Sequence, residues 1–274
     1  MSLPTADRQL HKILGMERRT VGVPRPRVGA LPRRSEGVGS GNGDLQGSAN
    51  RLLASLPITE RDLLLPRLTE VFLKVRTVLF EPGQPVDAVY FPIDGVISLV
   101  TPLEDGAIVE VATVGNEGVV GVPVVLGGSL AVRAISQVAG RCLTMEVGAF
   151  LSELGKRGRL ARLVESYVQA LFGQISQAAA CNRLHSNEER LARWLLMSHD
   201  RVGADQFFIT QEFLAQMLGS RRATVTLSAS ILQRAGFIRY QRGHVEVVDR
   251  RGLESAACEC YGVIRTALER VVVP

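Results

Sequence analysis

The spacing of apolar residues changes several times along the chain, and each change marks a new kind of element. Leu52, Leu53 and Leu56, then Leu63, Leu64, Leu65 and Leu68, recur at helical intervals broken by Pro57 and Pro66, which predicts short helices. After Val71 the pattern becomes that of strands: Thr77–Phe80, Ala88–Pro92, Gly95–Val100 and Ile108–Val114. Turn sequences at Glu81-Pro82-Gly83, Ile93-Asp94-Gly95 and Glu104-Asp105-Gly106 separate them. A further pair is expected at Ala131–Val138 and Cys142–Val147. Short strands about ten residues apart argue for a small antiparallel roll or barrel.

Helical periodicity then returns. Leu160, Leu163, Val164, Tyr167, Leu171 and Ile175 mark one face of a long helix over Leu151–Cys181, and a single stripe of that length must find a partner. Ser186-Asn187-Glu188-Glu189 is a capping box that starts an amphipathic helix through Leu191, Trp194, Leu195 and Met197. Between Ile209 and Tyr240 the pattern reads helix, tight turn, helix, strand. Thr210 caps the first helix, whose buried face is Phe213, Leu214, Met217 and Leu218; Gly219 ends it, and Ser220 is placed to cap the second. That second helix turns Val225, Ala229 and Leu232 inward and presents Arg221, Arg222, Thr224 and Thr226 outward, side chains suited to base edges and phosphates. Such a layout is that of a helix-turn-helix; a plain helical hairpin with two solvated arginines is the alternative. Phe237–Tyr240 and His244–Val248 alternate around Gln241-Arg242-Gly243 as a hairpin wing, where Arg239, Arg242 and His244 are phosphate contacts or a solvated turn. Residues Arg251–Arg270 are expected as one terminal helix.

Charge sharpens this picture. The formal net charge is +5 over 274 residues, divided as +4 over residues 1–50, −2 over 51–170 and +3 over 171–274. A basic C-terminal segment fits a polyanion partner. Residues 1–50 mix arginine, proline and glycine without periodicity and cannot bury enough apolar area to offset their ordering entropy, so a basic disordered arm is expected, with a short helix near Leu10–Met16. Contact with DNA phosphates and a dispensable tail both fit it. With 46% hydrophobic residues, the rest can build real cores.

Cys142, Cys181, Cys258 and Cys260 lack C-x₂-C spacing and read as reduced thiols of a cytoplasmic protein. Cys258 and Cys260, two apart on a helix, would face different ways, so no shared metal is expected. His11, His185, His199 and His244 form no obvious pair. Neither a secretory signal nor a membrane span is expected. No P-loop, G-x-S-x-G or H-E-x-x-H sequence is present, which leaves an enzyme without residues to carry catalysis.

Leu79-Phe80-Glu81-Pro82-Gly83, Val89-Tyr90-Phe91 and Gly95-Val96-Ile97 look like the opening hairpins of a cyclic-nucleotide-binding β-roll. With the helix-turn-helix downstream, residues 50–260 resemble the family of the cyclic-AMP receptor protein and the fumarate–nitrate reductase regulator (Crp/Fnr). The resemblance implies an α+β fold: a β-roll sensor at 51–150 after the arm at 1–50, a dimerisation helix at 151–183, and a winged helix-turn-helix at 184–274. It implies that Leu160, Val164, Tyr167, Leu171 and Ile175 pair two subunits.

Members that bind cyclic AMP use a cassette with a Gly-Glu pair and a later Arg-Ser; the glutamate accepts from the ribose hydroxyl and the arginine pairs with the phosphate. With Gly121 at the glycine position, the glutamate position falls on Val122, and Arg133 would supply the arginine, followed by Ala134. In a second register the arginine position falls on Gly128, and Glu117 fits neither. At least half of the pair is missing, and a lost buried hydrogen-bond partner costs about 1–3 kcal/mol. Ordinary cyclic-AMP binding is therefore not expected; another ligand, a protein contact or no effector stay open. The iron–sulfur branch of the family uses cysteines ahead of the roll, and residues 1–90 hold none, so no such cluster is expected. Arg222 matches the family arginine that pairs with guanine, Ala223 replaces the acidic position after it, and Leu227 stands at a second arginine position.

The expected function is a homodimeric transcription regulator whose roll sets the spacing of two recognition helices on palindromic double-stranded DNA, with RNA polymerase a further candidate partner. The alternative is an effector-responsive module that docks on a protein and reads no DNA.

Overall fold

The computed structural model describes residues 50–128 and 131–272, and the basic arm with its helix near Leu10–Met16 lies outside them. Asn50, the last residue of that arm in the sequence division, already belongs to the fold. It is fully buried, its Oδ1 caps helix α1 (Arg51–Ala54) by accepting from Leu53 N, and its Nδ2 donates to the carbonyls of Pro92 and Gly118 at 3.0 and 2.8 Å.

Helix α2 (Ile58–Leu64) leads into seven antiparallel strands: β1 (Thr69–Leu73), β2 (Val78–Phe80), β3 (Ala88–Pro92), β4 (Val96–Pro102), β5 (Ile108–Val114), β6 (Arg133–Val138) and β7 (Gly140–Glu146). They form two sheets, ordered β1-β7-β3 and β2-β6-β4-β5. Six strands fall where alternation and turn sequences predict them. The seventh, β1, shows no clear alternation: it buries only Leu73 and exposes Phe72, as an edge strand can. Val89, Phe91, Ile97, Leu99, Ala134 and Met145 fill the space within the roll, and Phe150 closes it with its ring edge-on to Phe91 at 6.1 Å.

The long helix is two. α3 (Val147–Gly155) and α4 (Arg159–Leu184) are separated by Lys156, Arg157 and Gly158, where Arg157 adopts φ 52°. Leu160, Val164, Tyr167 and Leu171 on α4 are buried within their own chain, against the roll and the C-terminal helix, and Ile175 is half-buried. The stripe expected to meet a partner is thus already covered. Periodicity reports that a face is apolar, not which neighbour covers it. The exposed side of α4 instead carries Phe172, 71% accessible, among the small residues Gly173, Ser176, Ala179 and Ala180.

The C-terminal part comprises α5 (Asn187–Val202), β8 (Gln206–Phe208), α6 (Gln211–Met217), α7 (Arg222–Arg234), β9 (Ile238–Gln241), β10 (His244–Val247), α8 (Arg250–Ala256) and α9 (Cys260–Val272), with a sheet ordered β8-β10-β9. Strand β8 is three residues long, too short for its alternation to be read. The expected single terminal helix also breaks in two, between Ala256 and Cys260.

Helix α5 joins the two halves through polar contacts. Trp194 Nε1 donates to Glu110 Oε1 at 2.9 Å, Gln137 Nε2 donates to Ser198 Oγ at 3.1 Å, and Arg201 forms an ion pair with Glu117 at 2.8 Å, both side chains almost fully buried. Glu117, the stray acid of the cassette region, is therefore committed to α5. Gly115 makes room for that arginine: a Cβ there would lie 2.5 Å from Arg201 Cγ.

Candidate nucleic-acid interface and effector region

Thr210 caps α6 as expected, its hydroxyl accepting from Phe213 N at 3.2 Å. Gly219 takes φ 57° and turns the chain, a conformation that costs glycine nothing. Ser220 does not cap the next helix. Its hydroxyl donates to Asn187 Oδ1 at 2.6 Å, while Arg221 is the N-cap of α7 and makes no side-chain cap bond. The hydroxyl is aimed at Asn187 on α5, and the helix starts one residue later, with Arg221 at its N-cap.

Helix α7 buries Val225, Ala229 and Leu232 as the pattern predicts, and fixes its pitch on α5 through Ser228 Oγ, which donates to Glu188 Oε1 at 2.8 Å. Its exposed face opens with Arg221 and Arg222, neither in an ion pair among the described residues. Two unpaired guanidiniums at the positive end of a helix dipole form an anion-seeking surface. Thr224 is half-buried. Thr226 is exposed but tied, its hydroxyl 2.8 Å from Gln211 Oε1 and 2.9 Å from the Arg222 carbonyl. Gln211 is thereby a neighbour of the recognition face, with nothing in its sequence setting to mark it. Leu227, at the second arginine position, is 57% exposed.

The wing is a two-residue hairpin. Arg242 and Gly243 both take positive φ, 51° and 83°, as a type I′ turn requires. Arg242 is exposed at the tip and in no ion pair among the described residues, while His244 packs edge-on to Phe208 with ring centroids 5.2 Å apart. Arg239 is instead ion-paired with Glu246. Tyr240 pins the wing to the start of α6: its hydroxyl donates to the Ile209 carbonyl at 2.7 Å, and its N–H to Gln233 Oε1 at 2.7 Å. Burial pushes the Tyr240 phenol up to about 12, opposed by the charge of Arg222.

In the roll, Gly121 has its own structural reason. Its φ is 111°, and a Cβ would lie 2.9 Å from Val89 Cγ1. Val122 is buried, so the glutamate position offers an apolar side chain turned away from solvent. Arg133 heads β6 and pairs with Glu81 at 2.8 Å, and Ala134 is fully buried in the sheet. The only charged group among these four residues already has a protein partner.

Beside them lies a polar network that sequence could not assemble. Glu110 is held by Ser98 at 2.6 Å and by Trp194, and burial pushes its carboxyl up to about 7 against the pull of Ser98, Arg193 and Trp194. Ser98 Oγ also lies 2.5 Å from Gln137 Oε1. One hydroxyl proton cannot serve two acceptors, so a protonated Glu110 donating to Ser98, with Ser98 donating to Gln137, satisfies all three.

The expectation of no cysteine–histidine grouping fails. Because α8 ends at Ala256, Cys258 sits in the turn before α9 rather than on a helix with Cys260, and both thiols face Cys181 and His185 at the end of α4. Opposite-facing thiols would have required the unbroken helix.

Residues 70–157 match the family described as the cyclic nucleotide-binding domain, and residues 189–256 the Crp-like helix-turn-helix domain; together they span more than half of the chain. The search of curated proteins gave no significant match. Among solved structures, FixK2 from Bradyrhizobium japonicum is 17% identical with a TM-score of 0.61, covering 70% of this chain and 98% of that one. The c-di-GMP-responsive global regulator CLP of Xanthomonas campestris is 16% identical with a TM-score of 0.57, covering 70% and 99%. TTHA1359, a Crp/Fnr-family transcriptional regulator from Thermus thermophilus, is 20% identical with a TM-score of 0.54, covering 69% and 98%. No helix among the described residues is long and apolar enough to cross a membrane. A roll of the cyclic-nucleotide-binding type, followed by a helix-turn-helix with a free arginine pair at the head of its second helix, makes this chain a member of the Crp/Fnr family of DNA-binding transcription regulators.

Proposed function

We propose that the chain acts as a homodimer on a palindromic DNA site, with the roll (51–150) as sensor, the helical segment (151–183) as connector and residues 184–274 as reader. Arg221 and Arg222 lead α7 into the major groove, Thr224 and Thr226 flank them, and Arg242 and His244 meet phosphates from the wing. The observation that carries this is the unpaired arginine pair on the exposed head of a helix otherwise clamped by α5 and α6. With Ala223 and Leu227 in place of an acid and an arginine, the half-site differs from the one the family pattern reads.

Phe172 and its small neighbours form the pairing face, because the apolar stripe is covered within the chain. Two-fold pairing there sets the recognition helices about 34–36 Å apart, one DNA turn. The signal reaches them through the Glu110–Trp194 and Glu117–Arg201 contacts, whose roll residues lie close in sequence to the cassette or to its supporting strands. An effector other than ordinary cyclic AMP fits this roll better, because the glutamate position is the buried Val122 and Arg133 is engaged by Glu81. The CLP description, c-di-GMP responsive, illustrates that proteins of this fold differ in what they sense. RNA polymerase is a further partner proposed for such a regulator.

The test is selection of random double-stranded DNA by the purified protein, without ligand and with cyclic AMP. Enrichment of a palindrome in both supports the reading. Enrichment only with cyclic AMP overturns the effector part, and no enrichment under either condition favours the protein-docking alternative.

A further inference from the structure

We propose that Cys181, His185, Cys258 and Cys260 form a closed binding site for one zinc ion, which clamps the end of α4 to the joint between α8 and α9. Their four ligand atoms lie within 4.8 Å of one another. Cys181 and Cys258 sulfurs are 3.6 Å apart, and Cys260 Sγ is 3.4 Å from His185 Nδ1. A tetrahedral zinc with its usual bond lengths spaces its ligands about 3.8 Å apart between sulfurs and about 3.6 Å between sulfur and nitrogen. Both pairs thus lie within a few tenths of an ångström of the edges of a zinc tetrahedron.

The surroundings are those of a metal site. His185 turns Nε2 outward to the Glu259 carboxylate at 3.3 Å, which fixes the proton on that nitrogen and leaves the Nδ1 lone pair facing the sulfurs. Gln177 Nε2 donates to Cys260 Sγ at 3.1 Å, a bond that steadies a thiolate. Three thiolates and one dication sum to −1, and the buried Arg190 and Arg193 guanidiniums near this cluster balance that charge; the Nε of each is buried without a hydrogen-bond partner. The three cysteines form a cluster of their own beside the aliphatic core, where α4 packs against α9 and the turn before it.

Ligand chemistry selects the ion. Three sulfurs and an imidazole suit zinc and not magnesium or calcium, which take oxygen. Four ligands within 4.8 Å enclose a single ion, whereas an iron–sulfur cluster spreads its cysteines around several irons. With four protein ligands no coordination position stays open, so the role is structural. Helix α4 carries the proposed pairing face, and α5, which bears the polar contacts to the roll, starts two residues beyond His185. A clamp here fixes the angle at which the reader leaves the connector.

The test begins with the full-length protein purified under reducing conditions without chelator. Elemental analysis should find about one zinc per chain, and cobalt exchanged into the protein should show thiolate-to-metal charge transfer with tetrahedral d–d bands. Cys260→Ser and His185→Ala should lower the zinc content, while Cys142→Ser, a thiol on β7 away from the cluster, should keep it. The spectrum of the cobalt form needs no variant and so holds even if the substitutions unfold the chain. Absence of metal together with failure to take up added zinc overturns the proposal. So does a Cys181–Cys258 disulfide in freshly isolated protein, or octahedral cobalt without sulfur ligation. DNA binding is not part of the readout, so the site stands or falls apart from the regulator's target.

Discussion

Replacing Arg201 by Met keeps an unbranched stem of shorter reach and removes the charge that faces Glu117. The pair is 2.8 Å apart with side chains 5% and 6% exposed, and Arg201 also donates to the Met197 carbonyl at 2.8 Å. Removing one member of a buried pair strands the other, which costs about 3–5 kcal/mol. Glu117→Gln should cost a similar amount, since Arg201 is then buried without its counter-ion. The double variant strands neither charge, so it should lose clearly less than the sum, with a coupling energy of about 2 kcal/mol or more. Urea unfolding followed by fluorescence is the assay. The chain has one tryptophan, Trp194, and its indole is bonded to Glu110 across the same junction, so the signal reports the contact between roll and reader. Losses below about 1 kcal/mol for both single variants, or a cycle additive within about 0.5 kcal/mol, would show that α5 does not stay docked on the roll in solution. The proposed route from sensor to reader would then have to be abandoned.

Other expectations rest on single residues. Arg222→Ala should lose about 1–3 kcal/mol of discrimination at one base pair of the selected site, read by competition binding; uniform weakening across sequences would make it a phosphate contact instead. Phe172→Glu should give monomers by light scattering and weaken palindrome binding about a hundredfold or more, because the second half-site is no longer tethered; an unchanged dimer would place the pairing face elsewhere. Gly118→Ala should destabilise the chain measurably in thermal melts, since a Cβ would lie 2.4 Å from the buried Tyr167 ring. Glu110 gives a pH signature. Its carboxyl is raised from the ordinary 4.5 to about 7, so the folded chain holds a proton the unfolded chain releases. Its contribution is full below about pH 4.5 and declines by up to roughly 1.4 kcal/mol per pH unit as pH rises towards 7. Glu110→Gln, a neutral mimic, should flatten that slope in urea midpoints taken across this range; an identical slope in both proteins would mean Glu110 is charged throughout.

Local chemistry sufficed for much of this protein. Strand alternation between well-marked turns placed β2 to β7, and the Ser186–Glu189 capping box forms as its spacing demands. Thr210, Gly219 and the inward Val225, Ala229 and Leu232 defined the helix-turn-helix, because each depends on neighbours within a few residues. Arg222 could be singled out for the same reason: a residue at the head of an amphipathic helix, off its apolar face, is exposed wherever that helix packs.

Only the tertiary structure decided how those pieces use one another. The α4 stripe of Leu160, Val164, Tyr167 and Leu171 is apolar in sequence, but nothing local says whether a second subunit or the chain's own roll covers it. Ser220 stands one residue before the observed N-cap, and its hydroxyl donates to Asn187, 33 residues away. Glu117 and Arg201 are 84 residues apart, and only the fold makes them a pair. The cysteines show it most plainly: one three-residue break after Ala256 turns Cys258 towards Cys181, 77 residues away, and gathers three thiols and His185 within 4.8 Å of one another. Periodicity and capping act over one or two turns, whereas burial partners, charge pairs and metal ligands depend on distances that exist only after packing.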